Sequence, residues 1–476
     1  MVTEKIRLGY LPTFGEVFDF DDARRVAQEV REYLASNEMI ELIDIDWLNE
    51  DRLYHDEADQ DKVYEYFAAQ EVDAIFNVVC AFGAELSVCR IAQKLDKPLL
   101  LWGPRDDYPR EDGWRKRDSQ CGALATSKCL VRFGIPFSYI VSSTLDSDTF
   151  RSGFENFVRA ANVIKKFRNL RIGQIDTRPK TFMSVMVNEA ELLEKFGIQI
   201  IPCSLVNITD AALKLVEEQP ELLDCEIETY RREVCTDNIS QTQLRRIMAL
   251  KHAIKDFAVR EGCGVVAMHC WHEVEARLGI SPCASMGMVS SEGIPVVCET
   301  DIHGAISAAI AGAATMGESH VLFPDITIRH PANDNAELIW HCGPFPMAEK
   351  KCSCQASLSD DHYNFNDGCP GCAEFQMRDG NITMVRFDGA AGVYGIMAAE
   401  AKTVEGPHTR GTYLWAEFED WAKIEYTIAR GFYCHHAAVV YGSIAPVLYE
   451  VARYLKVRFD ALGPSEEEIE RHLIGK

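Results

Sequence analysis

Residues 264–304, GVVAMHCWHEVEARLGISPCASMGMVSSEGIPVVCETDIHG, form the stretch around which this chain is organised. Its two short apolar runs, 265–268 and 295–297, are rich in valine and predict buried strands. Polar, chemically capable residues follow each run at once, at 270–273 and at 298–301. Because ligands of an open α/β sheet collect beyond the carboxyl ends of its strands, we expect the functional site here.

Strands and helices alternate on both sides of this stretch, which predicts parallel, doubly wound sheets. The predicted strands are 6–11, 40–45, 74–80, 98–102, 171–175, 198–203 and 321–323. Amphipathic helical patterns lie between them; one is predicted to begin at Thr209-Asp210, and an Ala- and Gly-rich helix is predicted over 304–316.

The amino-acid composition changes after Asp325, where Pro, Asn, Gly, Cys and His become frequent. Short β-like runs then follow at 382–387, 394–399 and 412–418. The predicted class is therefore α/β, with two doubly wound parallel-sheet domains followed by a β-rich C-terminal domain. The predicted boundaries are 1–165, 166–335 and 336–476.

Composition limits the kinds of partner. The 476 residues include 49 Lys and Arg against 73 Asp and Glu, a net charge of −24, which argues against nucleic acid and anionic membranes. The first 20 residues lack the apolar core of a signal peptide, and no apolar run approaches the roughly 20 residues of a membrane span. Seventeen scattered cysteines indicate reduced thiols and a cytoplasmic protein.

Two strand-end carboxylates, Glu273 and Asp301, are the first candidate site residues. Both lie in apolar surroundings where an unpaired charge is costly, and a bound Mn²⁺ or Mg²⁺ would remove that cost. Solvated or helix-capping carboxylates are the alternative. Glu275 and Glu299 are nearby rivals, although Glu299 would face away from Asp301 if its strand continued that far.

A second metal site is suggested by the spacing of four cysteines. Cys352, Cys354, Cys369 and Cys372 form a CxC and a CxxC pair on either side of a polar loop. Four thiolates could close a structural Zn²⁺ site or hold an iron–sulfur cluster, and free or reversibly oxidised thiols are the alternative.

Four motifs in this order resemble the L-fucose isomerase/L-arabinose isomerase superfamily, on the fucose isomerase side. They are CWHEVEARLGISPC at 270–283, GIPVVCETDIHGA at 293–305, HCGPFP at 341–346 and CHHAAVVYG at 434–442. The resemblance implies two α/β domains and a β-rich third, and a metal-dependent aldose–ketose isomerase that acts through an ene-diol. It also implies a homo-oligomer, typically a hexamer.

The resemblance carries the family's metal ligands, usually for Mn²⁺, onto Glu273, Asp301 and His436. The two carboxylates would also move the proton between C1 and C2 of the sugar. Three further residues are candidates for binding the substrate: Trp271, His303 and His435. The sugar itself stays open among a pentose, a 6-deoxyhexose and an aldose modified at C6, and a non-catalytic sugar-binding protein of the same fold is the alternative function.

Overall fold

The computed structural model describes residues 4–15, 17–362 and 368–476. Residues 1–3 and 16, in the segment predicted to lack a signal peptide, and residues 363–367, in the loop between the two predicted cysteine pairs, lie outside the described residues. Two compact units make up the chain. One contains the segment up to Lys165 with Pro446–Lys456 and Glu466–Lys476, and the other contains Lys166–Ala445 and Val457–Ser465.

A parallel five-stranded sheet forms the centre of the first unit. Its strands are β1 (Ile6–Thr13), β2 (Ile40–Asp44), β3 (Ala74–Val79), β4 (Leu99–Trp102) and β5 (Ser138–Ile140), in the spatial order β2-β1-β3-β4-β5. The helices along this part of the chain are α1 (Phe20–Ser36), α2 (Gln60–Ala69), α3 (Glu85–Leu95), α4 (Ser119–Arg132) and α5 (Asp148–Arg168). Every residue of β3 and β4 is buried, as continuous apolar runs in a sheet covered on both faces require.

The second unit begins with another parallel sheet. Its strands are β6 (Arg171–Ile175), β7 (Gln199–Cys203), β9 (Val265–Met268) and β10 (Val296–Val297), in the order β10-β9-β6-β7. The short β8 (Val234–Cys235) belongs to a different sheet. The helices of this region are α6 (Glu189–Phe196), α7 (Leu205–Glu218), α8 (Pro220–Tyr230), α9 (Gln241–Glu261), α10 (Glu273–Leu278), α11 (Cys283–Ser291) and α12 (Ile302–Ala314).

A large, mostly antiparallel sheet completes the second unit. Its strands are β8 with β11 (Asp325–His330), β12 (Asn333–His341), β13 (Ala356–Leu358), β14 (Ala373–Gln376), β15 (Asn381–Ala390), β16 (Val393–Val404), β17 (Thr412–Phe418), β18 (Ala438–Tyr441) and β19 (Arg458–Ala461). Helix α13 (Trp421–Arg430) follows β17, whereas the last two helices, α14 (Ala445–Leu455) and α15 (Glu466–Leu473), lie mainly in the first unit.

Helix α12 packs closely into the second unit, because small residues let its backbone approach its neighbours. A Cβ atom on Gly304 would lie 2.4 Å from Cζ of Phe323, so only glycine fits there. The prediction of a tightly packed Ala- and Gly-rich helix located this element to within two residues at each end.

The predicted fold class, parallel α/β sheets followed by a β-rich C-terminal region, is confirmed. Two local predictions were wrong. Ser204, rather than Thr209, caps α7, and Leu322 makes an isolated bridge to Val439 instead of lying in a strand. The three-domain division stays a prediction. Among the described residues, no helix combines the length and apolar character that crossing a membrane requires.

Candidate metal centre

The site lies where two neighbouring strands end. β10 pairs in parallel with β9, so the two chain segments leave the sheet at the same edge. The backbone then turns sharply, since Glu299 and Thr300 have φ angles of +56° and +54°. The strand therefore ends at Val297, and the alternation that would have turned Glu299 away does not apply. Glu299 is only 5% exposed.

Asp301 is completely buried, and neighbouring groups use both of its carboxylate oxygens. Oδ1 accepts hydrogen bonds from the Gly304 N–H, which caps α12, and from Nη2 of Arg386. Oδ2 accepts from Nη1 of Arg386 at 2.6 Å and from Nδ1 of His436 at 2.9 Å. Because both oxygens of Asp301 accept hydrogen bonds, this carboxylate orients the groups around it and leaves no oxygen free to bind a cation.

His436 is held so that its other nitrogen faces two acids. With Nδ1 on Asp301, Nε2 lies 3.2 Å from Oδ1 of Asp325 and 3.8 Å from Oε2 of Glu299. Asp325 begins β11, and its backbone bridges that of His436. A third ring reaches the same place: Nε2 of His341, the last residue of β12, lies 3.8 Å from Oε2 of Glu299 and 4.0 Å from Oδ1 of Asp325.

These facing atoms are buried, and none of them has a hydrogen-bond partner among the described residues. They are Oε2 of Glu299, Oδ1 of Asp325, Nε2 of His341 and Nε2 of His436. Buried polar atoms are nearly always hydrogen-bonded, so a group of convergent exceptions needs an explanation. Two carboxylate oxygens with imidazole nitrogen form a donor set that suits a divalent cation.

The two imidazoles differ in their tautomers. Nδ1 of His341 accepts a hydrogen bond from the N–H of Cys342 at 2.9 Å, so a neutral His341 ring carries its proton on Nε2. Nδ1 of His436 instead donates to Asp301, which leaves the Nε2 lone pair of a neutral ring free. His436 is therefore fitted to ligate a cation, and His341 is fitted to donate a hydrogen bond.

Charged neighbours shift the pKa values of Asp301, Asp325 and His436 in this buried cluster. Burial alone would raise the pKa of Asp301 and of Asp325, but Arg386 and His436 hold the first well below its usual range, and His341 and His436 do the same for the second. Burial would lower the pKa of His436, yet the hydrogen bond to Asp301 and the nearby negative charge of Asp325 raise it well above its ordinary value. The pocket thus favours positive charge beside its carboxylates.

Of the three metal ligands carried over from the resemblance, the structure brings together Asp301 and His436. Glu273 begins α10, its side chain is 57% exposed, and it forms an ion pair with Nε2 of His269 at 2.9 Å. Among the described residues, Glu273 is absent from every group of three or more ligand-type side chains whose ligand atoms lie within 4.8 Å of one another. Two such groups contain His436, one with Asp301 and one with Asp325.

The three predicted substrate-binding residues differ in their contacts. Trp271 donates from Nε1 to Oε1 of Glu299 at 3.2 Å. His435 is exposed and shares one of the groups above with Asp325. His303 is buried, with Nδ1 2.7 Å from Oδ1 of Asp388, which in turn pairs with Arg386.

Among the described residues, none of the four predicted zinc cysteines belongs to a group of three or more ligand-type side chains whose ligand atoms lie within 4.8 Å of one another. Sγ of Cys354 hydrogen-bonds to backbone groups of Gln355 and Gln376, and Cys352 is exposed. Cys372 is buried and lies 3.8 Å from a different cysteine, Cys283. Cys369 is partly buried, and its backbone carbonyl accepts from the hydroxyl of Ser281.

Sequence reasoning undervalued three residues of the centre. Glu299 was named only as a rival, because a continuing strand would have turned it outward. His341 was recognised only as part of a motif, and Asp325 only as the point where composition changes. Their position in the sequence could have identified them, because all three are polar residues at or next to the end of a strand.

Comparison with known proteins supports the resemblance. Residues 9–168 match the profile of the family described as "Fucose/sulfoquinovose isomerase, N-terminal domain". The chain is 24% identical over 392 residues to sulfoquinovose isomerase of Priestia aryabhattai, which covers 81% of this chain and 85% of that protein. It is 23% identical over 361 residues to sulfoquinovose isomerase of Alkalicoccus urumqiensis, covering 75% and 78% respectively.

Among solved structures, one match is a periplasmic solute binding protein from Actinobacillus succinogenes 130z with bound D-allose. It is 13% identical, with 66% of this chain and 92% of that chain covered and a TM-score of 0.17. A score this low carries no argument about the fold or the function.

Proposed function

We propose that this chain, an aldose–ketose isomerase of the fucose isomerase-like superfamily, has its active site at Glu299, Asp325 and His436. A divalent cation would bind at this centre. The observation that carries the proposal is the convergence of buried ligand atoms without hydrogen-bond partners. This set replaces Glu273 and Asp301 as proposed ligands, since Glu273 is exposed and Asp301 has both oxygens engaged.

The donor set fits a cation such as Mn²⁺, the metal implied by the resemblance. Two carboxylate oxygens and one imidazole nitrogen leave coordination positions for sugar oxygens. Ligation needs the neutral form of His436, so a cation would take the place of the proton on its Nε2. When bound, such a cation would polarise the sugar carbonyl and thereby acidify the hydrogen on the neighbouring carbon.

The residues around the centre supply the rest of the chemistry. One carboxylate, Glu299 or Asp325, takes the proton from C2 of the aldose and returns it to C1, while the proton of the C2 hydroxyl passes to the C1 oxygen, which completes the ketose. The N–H on Nε2 of His341 donates to a sugar oxygen on which negative charge develops. Trp271 fixes the Glu299 carboxylate through its indole N–H, and its partly exposed ring, which meets Phe182 edge to face, would pack on the sugar.

Asp301 acts through His436. Its hydrogen bond to Nδ1 sets the tautomer and the ring plane, and Arg386 holds Asp301 in turn. Partners of this kind increase the basicity of a ligating histidine and are worth about 10- to 100-fold in metal affinity or activity.

For the substrate we propose an aldose with an anionic group at C6, as in sulfoquinovose, the sugar in the names of the curated relatives. A cleft of about 610 Å³ is lined by Thr300 and Ile302, the neighbours of Asp301 in sequence. Arg178 and Lys180 line the same cleft and supply positive charge there, beside the carboxylates of Glu189 and Glu273. Charged side chains of this type recognise sulfonate or phosphate oxygens.

The decisive experiment is an aldose panel, comprising sulfoquinovose, L-fucose, L-arabinose and D-glucose, assayed for ketose with Mn²⁺ before and after EDTA. We expect the highest kcat/KM for the sulfonated sugar, loss of turnover with EDTA and recovery on adding Mn²⁺. Binding of a sugar without any ketose would favour the non-catalytic alternative. Full turnover of metal-free protein, verified by elemental analysis, would overturn the metal part of the proposal.

Two further parts of the proposal concern the cell and the assembly. All seventeen cysteines lie in the described part of the chain as free thiols, and we propose a reducing, cytoplasmic location. A homo-oligomer, hexameric by the resemblance, is also proposed, and light scattering coupled to size-exclusion chromatography measures it.

A further inference from the structure

A second cluster of metal-ligating side chains lies in the same unit as the isomerase centre. Sγ of Cys283 is 3.5 Å from Sγ of Cys342 and 3.8 Å from Sγ of Cys372. Ligand atoms of Cys283, Cys342 and His362 all lie within 4.8 Å of one another. All four side chains are buried: Cys283 is 2% exposed, Cys342 7%, Cys372 0% and His362 3%.

These residues come from separate parts of the chain. Cys283 begins α11, Cys342 follows β12, and Cys372 directly precedes β14. Isolated buried cysteines are ordinary core residues. Three thiols brought together from three segments, with an imidazole beside them, match instead the ligand set of a Cys₃His zinc site.

The distances fit zinc better than they fit a disulfide. A disulfide needs its sulfur atoms about 2.05 Å apart, far less than the separations here. With Zn–S bonds of about 2.3 Å, two thiolates on a tetrahedral Zn²⁺ lie about 3.8 Å apart. The two observed separations, 3.5 and 3.8 Å, lie close to that value.

The backbone around the sulfur atoms is held by close contacts at two glycines. Gly343 and Gly371 have φ angles of +133° and +134°. A Cβ atom on Gly343 would lie 2.4 Å from N of Ala373, and one on Gly371 would lie 2.3 Å from O of Ser281. The three segments that supply the cysteines therefore approach one another as closely as their backbones allow, which positions the thiols before any metal binds.

We propose that Cys283, Cys342 and His362, with Cys372 as the fourth ligand, bind one structural Zn²⁺ per chain. Binding replaces the protons of the three thiols, which pass to solvent, and no redox step is involved. The site shares no ligand with the Glu299–Asp325–His436 centre, and the proposal stands whether or not that centre is an isomerase. Because Cys342 follows His341, the zinc would fix the segment that carries His341.

This proposal differs from the zinc site predicted from sequence spacing, which stays a prediction. Of Cys352, Cys354, Cys369 and Cys372, only the last contributes a ligand. Its partners come from the two motifs that also carry the resemblance, HCGPFP and the end of CWHEVEARLGISPC. Sequence spacing missed them because the ligands are 59 and 89 residues apart in the chain.

The test uses the full-length protein with Co²⁺ as the probe. Chelator-treated, reduced protein is reconstituted with Co²⁺, and the thiolate-to-cobalt charge-transfer absorption is recorded together with zinc content before chelation. We expect about one Zn²⁺ per chain and a strong charge-transfer band. In Cys283→Ser and Cys342→Ser both signals should fall at least tenfold. Protein that neither carries zinc nor develops the band would overturn the proposal.

Three controls locate the metal. Cys225→Ser and Cys352→Ser, which remove exposed thiols, should keep the zinc and the band. Glu299→Gln should also keep both, because the isomerase centre is a different site. Loss of the band in Cys352→Ser but not in Cys283→Ser would move the zinc to the CxC pair and refute our assignment.

A second measurement covers the case in which the cysteine variants do not fold. Wild-type protein is treated with iodoacetamide with and without chelator, and modification at Cys283, Cys342 and Cys372 is counted by mass spectrometry. We expect chelator to increase the alkylation rate of these three cysteines at least tenfold while that of exposed Cys225 stays unchanged. Equal rates with and without chelator would contradict a bound metal.

Discussion

The Oδ2 atom of Asp301 accepts a hydrogen bond from Nδ1 of His436 at 2.9 Å, and this bond aims the opposite ring nitrogen at Asp325, 3.2 Å away. The first distance explains the second. The imidazole is attached to its own side chain at Cγ and hydrogen-bonded at Nδ1, and these two attachments together fix the position of Nε2. Arg386, completely buried, secures Asp301 in turn. The candidate metal centre is thus oriented by a buried ion pair that does not itself face the pocket.

The first prediction concerns this ion pair. Asp301→Asn should lower turnover about 10- to 100-fold, because His436 loses the partner that sets its tautomer. It should also cost about 3–5 kcal/mol of unfolding free energy, since Arg386 is left as a buried charge with one partner fewer. Urea unfolding and ketose formation measure the two effects.

A double variant serves as the control for that experiment. Asp301→Asn combined with Arg386→Gln removes both charges, so it should recover part of the stability without recovering turnover. Near-normal turnover in Asp301→Asn would exclude Asp301 from positioning His436.

The second prediction separates the geometric ligand set from the one implied by the resemblance. Glu299→Gln should reduce both bound Mn²⁺ and turnover by at least 100-fold, because a buried ligand oxygen is lost. Glu273→Gln should stay within about threefold of wild type in metal content, since its carboxylate is exposed and paired with His269. Elemental analysis after dialysis gives the metal content, and the reverse pattern would restore Glu273 as the ligand.

The third prediction concerns Trp271. Trp271→Phe keeps an aromatic ring but loses the N–H that holds Oε1 of Glu299, so we expect kcat to fall about 10- to 100-fold. Trp47→Phe, in the other compact unit and with its side chain half exposed, is the matched control and should leave kcat unchanged. Equal activity of the two variants would show that the indole N–H does not matter.

The fourth prediction is a pH dependence away from the site. Burial opposes ionisation of Glu349, but hydrogen bonds from His320 and Arg378 lower its pKa to about 2. The carboxylate therefore stabilises the fold fully above about pH 4.5 and loses this effect as the pH falls toward 2, a contribution of about 3 kcal/mol. Glu349→Gln should be less stable than wild type at pH 7, with the difference shrinking through that window in urea titrations.

The fifth prediction has the opposite sign. Burial, against the weaker opposing effect of Arg329, raises the pKa of Glu337 to about 7. A raised carboxyl pKa favours folding below about pH 4.5 and penalises it progressively as the pH rises through 7. Glu337→Gln should therefore be more stable than wild type at pH 8 by about 2–3 kcal/mol and equal to it near pH 4. A stability difference that does not change with pH would contradict this.

Local patterns in the sequence determined most of the fold. The apolar runs 98–102 and 265–268 match the observed strands β4 and β9 to within one residue, and the run 412–418 matches β17. These predictions succeeded because a strand buried on both faces needs a continuous apolar run, which the sequence displays directly. The same reasoning located the edge of the sheet where the polar residues collect, and motif order identified the superfamily.

Tertiary structure alone decided which polar residues form the centre. Two left-handed residues after Val297 turn Glu299 into the pocket, and Asp325 and His341 arrive there from strands of another sheet. Periodicity cannot report such turns, because it describes only regular backbone. Asp301 and Glu299 are two residues apart and look alike in sequence, yet Arg386, a distant partner, occupies one carboxylate and leaves the other facing the pocket. Ligand choice here depends on long-range hydrogen bonding, which no local pattern encodes.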